Sequence, residues 1–374
     1  MSKNKQYRSF VTAIIVLLVI SPLTILTVEA QEENSWTTLA PMQEARYGLG
    51  VVSENGKIYA IGGNPGYGPT TDINEEYNPQ TNTWTTKAPI PESMYDLGIT
   101  THHGKIYCVS GETGNTYAYT PLYDAWEQKA SLPNPRKGIT ANTLNDKIYI
   151  IGGDTKLMNV YDPSNDSWTT KTPLISAFGF YTQACASVVF EGKIHAFGAA
   201  PLEYSHQIYD PQTDSWSLGK SLFSGYFFTV AGATSGINAS KRIYVFGGDR
   251  IYWDLFHPAV LVSQAYDPVT KTWSFVEQMS SGQLIGDVAT IDDRLYVVGG
   301  AVTAGAGGLD ANSLCRLYSP IGYGTPDPSF TSPESTPTPS LPEPEFPTTL
   351  VLTSIVIIAI VGVGILVYFK KRRT

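Results

Sequence analysis

Apolar positions along this chain follow two patterns. At both ends they run together without interruption. Between the ends they come in bursts of four or five residues closed by small residues. Six bursts share one form: a basic residue, Ile or Leu, usually Tyr, two apolar residues and a small pair. They occupy residues 57–63, 105–111, 147–153, 193–199, 242–248 and 294–300, with starts 42 to 52 residues apart. These runs are too short for helices, and apolar residues on both faces predict strands buried between neighbouring sheets.

A second element, Tyr-x-Pro-x4-Trp, follows five of the bursts, at Tyr77 to Trp84, Tyr119 to Trp126, Tyr161 to Trp168, Tyr209 to Trp216 and Tyr266 to Trp273. Each unit therefore reads as four strands. The first leads into a two-residue turn, as at Asn55-Gly56, His103-Gly104 and Glu191-Gly192, where positive φ is needed. The second is the burst. It ends at a glycine pair where no side chain fits: Gly62-Gly63, Gly152-Gly153, Gly247-Gly248 and Gly299-Gly300. Ser110 and Ala199 each replace one glycine, and His195 stands in a Tyr slot. The third strand ends at the Tyr, and the fourth starts at the Trp. The sixth copy, Tyr318-Ser-Pro320, has no Trp; the spare one is Trp36, at the other end of the domain.

One such sheet cannot bury both faces alone, but six packed around an axis can, with Tyr and Trp as fillers. The period and the order Gly-Gly, Tyr, Trp resemble the kelch repeat across residues 35–322. The resemblance implies an all-β, six-bladed propeller, closed by an N-terminal strand carrying Trp36 into the last blade.

The apolar ends change the picture from a free domain to a displayed one. Residues 10–28 follow Lys3, Lys5 and Arg8, and Val28-Glu29-Ala30 offers a cleavage site, so 1–30 read as a secretory signal. An uncleaved anchor is the alternative. Residues 348–369 are long enough to span a bilayer, and the basic tail 370–374 stays in the cytoplasm. Residues 325–347, rich in Pro, Ser and Thr, read as an extended stalk. Pro344-Glu345-Phe346 before the apolar run resembles the PEF-type tails of archaeal surface proteins. The expected location is the cell membrane, single-pass, with the propeller outside. Asn165 and Asn238 head glycosylation sequons.

Composition narrows the class. Only 16% of residues are charged, and 34 Gly and 23 Tyr exclude a coiled coil or helical bundle. The chain carries −8 overall, and the basic residues at its two ends leave the middle more acidic still. Such a domain repels phosphate backbones, so no nucleic acid partner is expected. Cys108, Cys185 and Cys315 lie too far apart in sequence for a disulfide framework or a metal cluster and read as buried thiols.

The kelch resemblance implies a ligand face built from loops after the glycine pairs and loops leaving each Trp strand. Ten residues after successive Trp lie Arg46, Met94, Arg136, Phe178, Tyr226 and Gln283. Two arginines suit a carboxylate ligand; alternatively they fill a repeat position and pair with local carbonyls. The loop after Gly248 carries Arg250, Tyr252, Trp253 and His257, aromatic planes beside charge that suit sugar stacking or a protein hot spot. Tyr67, Tyr95, Tyr181, Tyr204, Phe227 and Phe228 add aromatic surface. The ligand-binding candidates are thus Arg46, Tyr95, Arg136, Tyr226, Arg250, Tyr252, Trp253 and His257. A galactose-oxidase-like copper site needs two His, and with five in the chain only His257 falls near this mouth. A sialic acid mutarotase-like enzyme would need a carboxylate, from Glu44, Asp96, Glu112 or Glu203, beside Arg46 or Arg136. No motif selects a catalytic residue, and no metal or cofactor is expected. The leading expectation is a non-catalytic surface module recognising a glycan or another surface protein; the alternative is a kelch-type carbohydrate-active enzyme.

Overall fold

The computed structural model describes residues 32–66, 68–153, 155–177, 185–200, 203–223, 229–248, 262–280, 286–304 and 308–324. The signal segment, the stalk, the C-terminal apolar run and the basic tail lie outside the described residues. Among the described residues no helix is long and apolar enough to cross a membrane.

Within 32–324 the chain forms six four-stranded antiparallel sheets. Blade 1 holds Gly50–Glu54, Lys57–Ile61, Asn74–Asn78 and Thr83–Lys87; blade 2 holds Gly98–His102, Lys105–Val109, Thr116–Thr120 and Ala125–Lys129. Blade 3 is Ile139–Leu144, Lys147–Gly152, Met158–Asp162 and Ser167–Lys171; blade 4 is Cys185–Phe190, Lys193–Ala200, Glu203–Asp210 and Ser215–Leu218. Blade 5 is Val230–Ala233, Ile243–Phe246, Ser263–Asp267 and Thr272–Phe275. Blade 6 takes Asp287–Ile291, Arg294–Val298 and Cys315–Ser319, and its outer strand is Ser35–Leu39 from the start of the domain. Trp36 pairs with Tyr318, so the strand that the sixth repeat lacks in sequence is supplied from the N-terminal side. The first strand of each blade contacts that of the next, and blade 6 contacts blade 1, closing the ring. The fold is a six-bladed β-propeller.

The core is six clusters, each shared by two consecutive blades. Between blades 6 and 1, for example, Ile58, Tyr77 and Trp84 meet Tyr296, Val298 and Leu317. The second strand of each blade is buried on both faces, as its unbroken apolar sequence requires. The glycine pair answers to close approach. A Cβ at Gly62, where φ is +67°, would collide with the Met94 carbonyl oxygen in the linker to the next blade. Cys108, Cys185 and Cys315 are buried free thiols in different interblade clusters.

A repeated clasp holds neighbouring blades together. Six tryptophans, Trp36, Trp84, Trp126, Trp168, Trp216 and Trp273, each donate their indole N–H to a backbone carbonyl of the preceding blade's exit, at 2.8 to 3.0 Å. Two positions before five of them stands an Asn or Asp: Asn34, Asn82, Asp124, Asp166 and Asp214. Its side-chain oxygen accepts both the repeat Tyr hydroxyl and the N–H of the residue whose carbonyl takes the indole. All five have φ near +50°, a left-handed conformation that Asn and Asp tolerate best after Gly. Blade 5 departs from the pattern with Lys271, which has the same φ but no acceptor to offer.

Candidate functional site

The first strands line a central channel of about 590 Å³. Its wall is mostly aliphatic, with hydroxyl residues such as Thr100, Thr140, Thr143 and Ser187 set into it. Thr100 bonds Thr143 across blades 2 and 3 at 3.0 Å, and Ser187 of blade 4 bonds Thr140 and Asn142 at 2.7 and 2.6 Å. Asp287 of blade 6 accepts the N–H groups of Val51 and Val288, both at 2.8 Å. Asp287 is half-buried and lines the channel. Burial pushes its pKa up to about 7, against the lowering effect of the two N–H donors.

The channel opens on two unlike faces. The linkers into the first strands and the ends of the second strands form one, which the sequence marked as the ligand face. On it the structure separates the candidates. Arg46 is fully buried: Nη2 bonds Glu75 at 2.6 Å and meets the Met42 sulfur at 3.6 Å, and the guanidinium also donates to the carbonyls of Gly62, Ile73 and Ala60. Burial lowers its guanidinium pKa, and Glu75 opposes that shift. Arg136, at 6% exposure, does the same in blade 3 with Gly152, Ile150 and Leu157 carbonyls and the Asn159 side chain. The carboxylate-binding ring expected of these arginines is therefore corrected. Both guanidiniums turn into the blade and stitch its second and third strands, leaving almost no surface for a ligand.

Tyr95 does remain half-exposed at this rim. It neighbours Asp96 and Tyr47, and burial followed by the Asp96 charge raises the hydroxyl pKa of both tyrosines. Tyr47 was missed in the sequence, because nothing in the repeat marks it. Glu112 pairs with Lys137 at 3.4 Å, and Glu44 is exposed. Glu203 and Tyr204 fall at the start of blade 4's third strand. Tyr67, Phe178, Tyr181, Tyr226, Phe227, Phe228, Arg250, Tyr252, Trp253, His257 and Gln283 lie outside the described residues.

The opposite face carries the turns between first and second strands. In five blades these turns have two residues, both with positive φ; in blade 5 the stretch 234–242 takes their place. Asp293 holds that stretch by accepting N–H groups from Ser235, Asn238 and Ala239. Between blades 4, 5 and 6 lies a second cavity of about 510 Å³, lined by Glu191, Asn238, Lys241 and Asp292 among others. Asn238 is thus half-buried and committed to this wall, whereas Asn165 is exposed on an outer turn of blade 3. At the tips of blades 2 and 3, His102 and His103 meet Asp146. His195 and His206 sit elsewhere, inside blade 4, with Nδ1 and Nε2 at 2.8 Å. Burial drives their pKa values down to about 3 and about 4, so both are neutral.

With the geometry in view, comparison places the molecule. A kelch motif model matches residues 45–91, which run from the linker bearing Arg46 through all four strands of blade 1. No curated protein sequence matches the chain. A solved structure titled "Structure of YjhT" superposes with a TM-score of 0.59 at 15% identity, over 74% of this chain and 96% of that one. At that identity the likeness is one of fold: a propeller containing a kelch motif.

Proposed function

We propose that this propeller is a binding module, held outside the cell by the C-terminal apolar segment and its stalk, and that it recognises a glycan or a surface protein. The observation that carries this reading is the contrast between the two faces. On one face, five of the six turns between first and second strands are two residues long, and the turns from third to fourth strand in blades 1 to 5 have four. On the other, the links between second and third strands run from residues 201–202 in blade 4 to 247–262 in blade 5 and 299–314 in blade 6. A rigid ring with variable loops on one side is the arrangement in which binding residues sit on loops over a fixed scaffold. Tyr47 and Tyr95 supply aromatic surface at that rim, and Arg250, Tyr252, Trp253 and His257 belong to the long segment that links the second and third strands of blade 5 in sequence. The test is a glycan array probed with the full-length chain in detergent, beside Tyr95→Ala and Trp253→Ala. Capture of a defined sugar class, lost in either variant, supports the module. Capture unchanged in both variants overturns this choice of face.

A second reading, a carbohydrate-active enzyme of the mutarotase type, is favoured by Asp287. A carboxyl titrating near neutrality in a channel wall suits proton transfer. Its test is NMR of sialic acid anomer exchange, with Asp287→Asn as control. Exchange catalysed by the wild type and lost in the variant would replace the binding reading.

A further inference from the structure

We propose that His102, His103 and Asp146 form a divalent transition-metal site joining the tips of blades 2 and 3. One ligand atom from each lies within 4.8 Å of the others, and His103 Nε2 stands 3.3 Å from Asp146 Oδ1. Metal–nitrogen and metal–oxygen bonds near ~2.0–2.2 Å put ligand atoms roughly 3–4 Å apart, so small rotations close this set around one ion. His103 and Asp146 are 76% and 77% exposed and free to make them.

The backbone brings the groups together. Successive residues of a strand point to opposite sides, but His103 has φ +46°, which swings its ring beside that of His102. The rings stack at 4.0 Å with planes 19° apart. Asp146 occupies the second turn position of blade 3 with φ +57°. Blades 1, 2 and 4 place Gly56, Gly104 and Gly192 there, the residue such a turn prefers. Only blade 6 also uses Asp, and Asp293 accounts for itself by holding the 234–242 stretch. Asp146 is directed at His103 of the preceding blade instead. The Thr100 to Thr143 bond ties together the two first strands that end at these tips. The nearby cation, Lys147, is drawn to Asp162 at 2.6 Å.

Two imidazoles and one carboxylate suit Zn²⁺, Ni²⁺ or Cu²⁺ rather than the all-oxygen shells of Mg²⁺ and Ca²⁺. Three protein ligands on an exposed tip leave positions for water. The site rests on the described turn geometry and stands whether or not the opposite face binds a glycan.

The test is calorimetric titration of the full-length chain, in detergent and without a polyhistidine tag, using Zn²⁺ alone. The expected result is one ion per chain, with His103→Ala and Asp146→Ala each weakening affinity by at least about tenfold. Circular dichroism of the metal-free variants checks that they fold. Independently, paramagnetic resonance of Cu²⁺ on the unaltered chain should show two imidazole nitrogens. Zn²⁺ binding unchanged by both substitutions, no binding below roughly millimolar Zn²⁺, or a Cu²⁺ spectrum with fewer than two nitrogens overturns the proposal.

Discussion

Replacing Trp36 by Ala tests whether the ring is held shut by its first strand. The indole is half-buried between blades 5 and 6, with its ring centroid 5.0 Å from both Phe246 and Tyr318. It also donates to the Glu277 carbonyl at 2.9 Å. A half-buried Trp removes on the order of 100 Å² from water, about 2.5 kcal/mol. The hydrogen bond adds about 1 kcal/mol and the two ring contacts roughly 1 kcal/mol beyond area. The loss is then about 4–5 kcal/mol, within the usual range for truncating a large aromatic. For a domain of this size that lowers Tm by about 8 °C. Differential scanning calorimetry of the full-length chain reads it directly. Trp216→Ala, which removes an equivalent half-buried clasp in mid-chain, should fall by a similar amount. A Trp36→Ala transition within about 1 °C of wild type, with Trp216→Ala shifted, would show that the first strand adds nothing to closure.

Three further outcomes follow from the framework. Lys271→Asp gives blade 5 the missing clasp acceptor beside Tyr266 and should stabilise by about 1 kcal/mol, a rise of roughly 2 °C by calorimetry; a fall would mean the clasp does not transfer. Arg46→Ala leaves Glu75 buried without its cation and should cost about 3–5 kcal/mol, whereas a ligand-contacting arginine would leave the melting temperature unchanged. The His195 and His206 pair makes stability acid-sensitive. Unfolded histidines take up protons near pH 6.5, but His206 resists until about pH 4 and His195 until about pH 3. Stability is therefore full above pH 6.5 and falls as pH drops from there toward 4, by about 1.4 kcal/mol per pH unit for each histidine that the unfolded chain protonates. Denaturant midpoints across that window should fall less steeply in His206→Gln; identical slopes would remove the pair as the cause.

The propeller was legible because its burial is repetitive. A strand sandwiched between sheets must be apolar on both faces, so residues such as Ile58, Ile106 and Ile148 recur with the blades. Trp36 was readable as the missing filler because five other copies defined its place. The clasp residues were written in the same register, two before five of the six clasp tryptophans. They stood out less, since Asn and Asp are common in any turn and their double acceptance appears only when the preceding blade is present. Arg46 and Arg136 show where sequence reading stops. An arginine that satisfies carbonyls inside a blade and one that greets a ligand occupy the same kind of position, and only burial separates them. His103 and Asp146 lie 43 positions apart, and no motif of local spacing joins them; the stacking of blades does.

The closing strand also sets an order of events in the making of the protein. Ser35–Leu39 is synthesised before every other described strand of the ring, yet its sheet partner, Cys315–Ser319, is synthesised last among them. During synthesis both remain open edges that invite pairing with other chains. Blades 1 to 5 draw all four strands from contiguous sequence and can form as the chain emerges. The ring itself cannot lock until residue 319 is through. A chain interrupted earlier lacks the whole seam, so completion of synthesis doubles as a checkpoint on assembly.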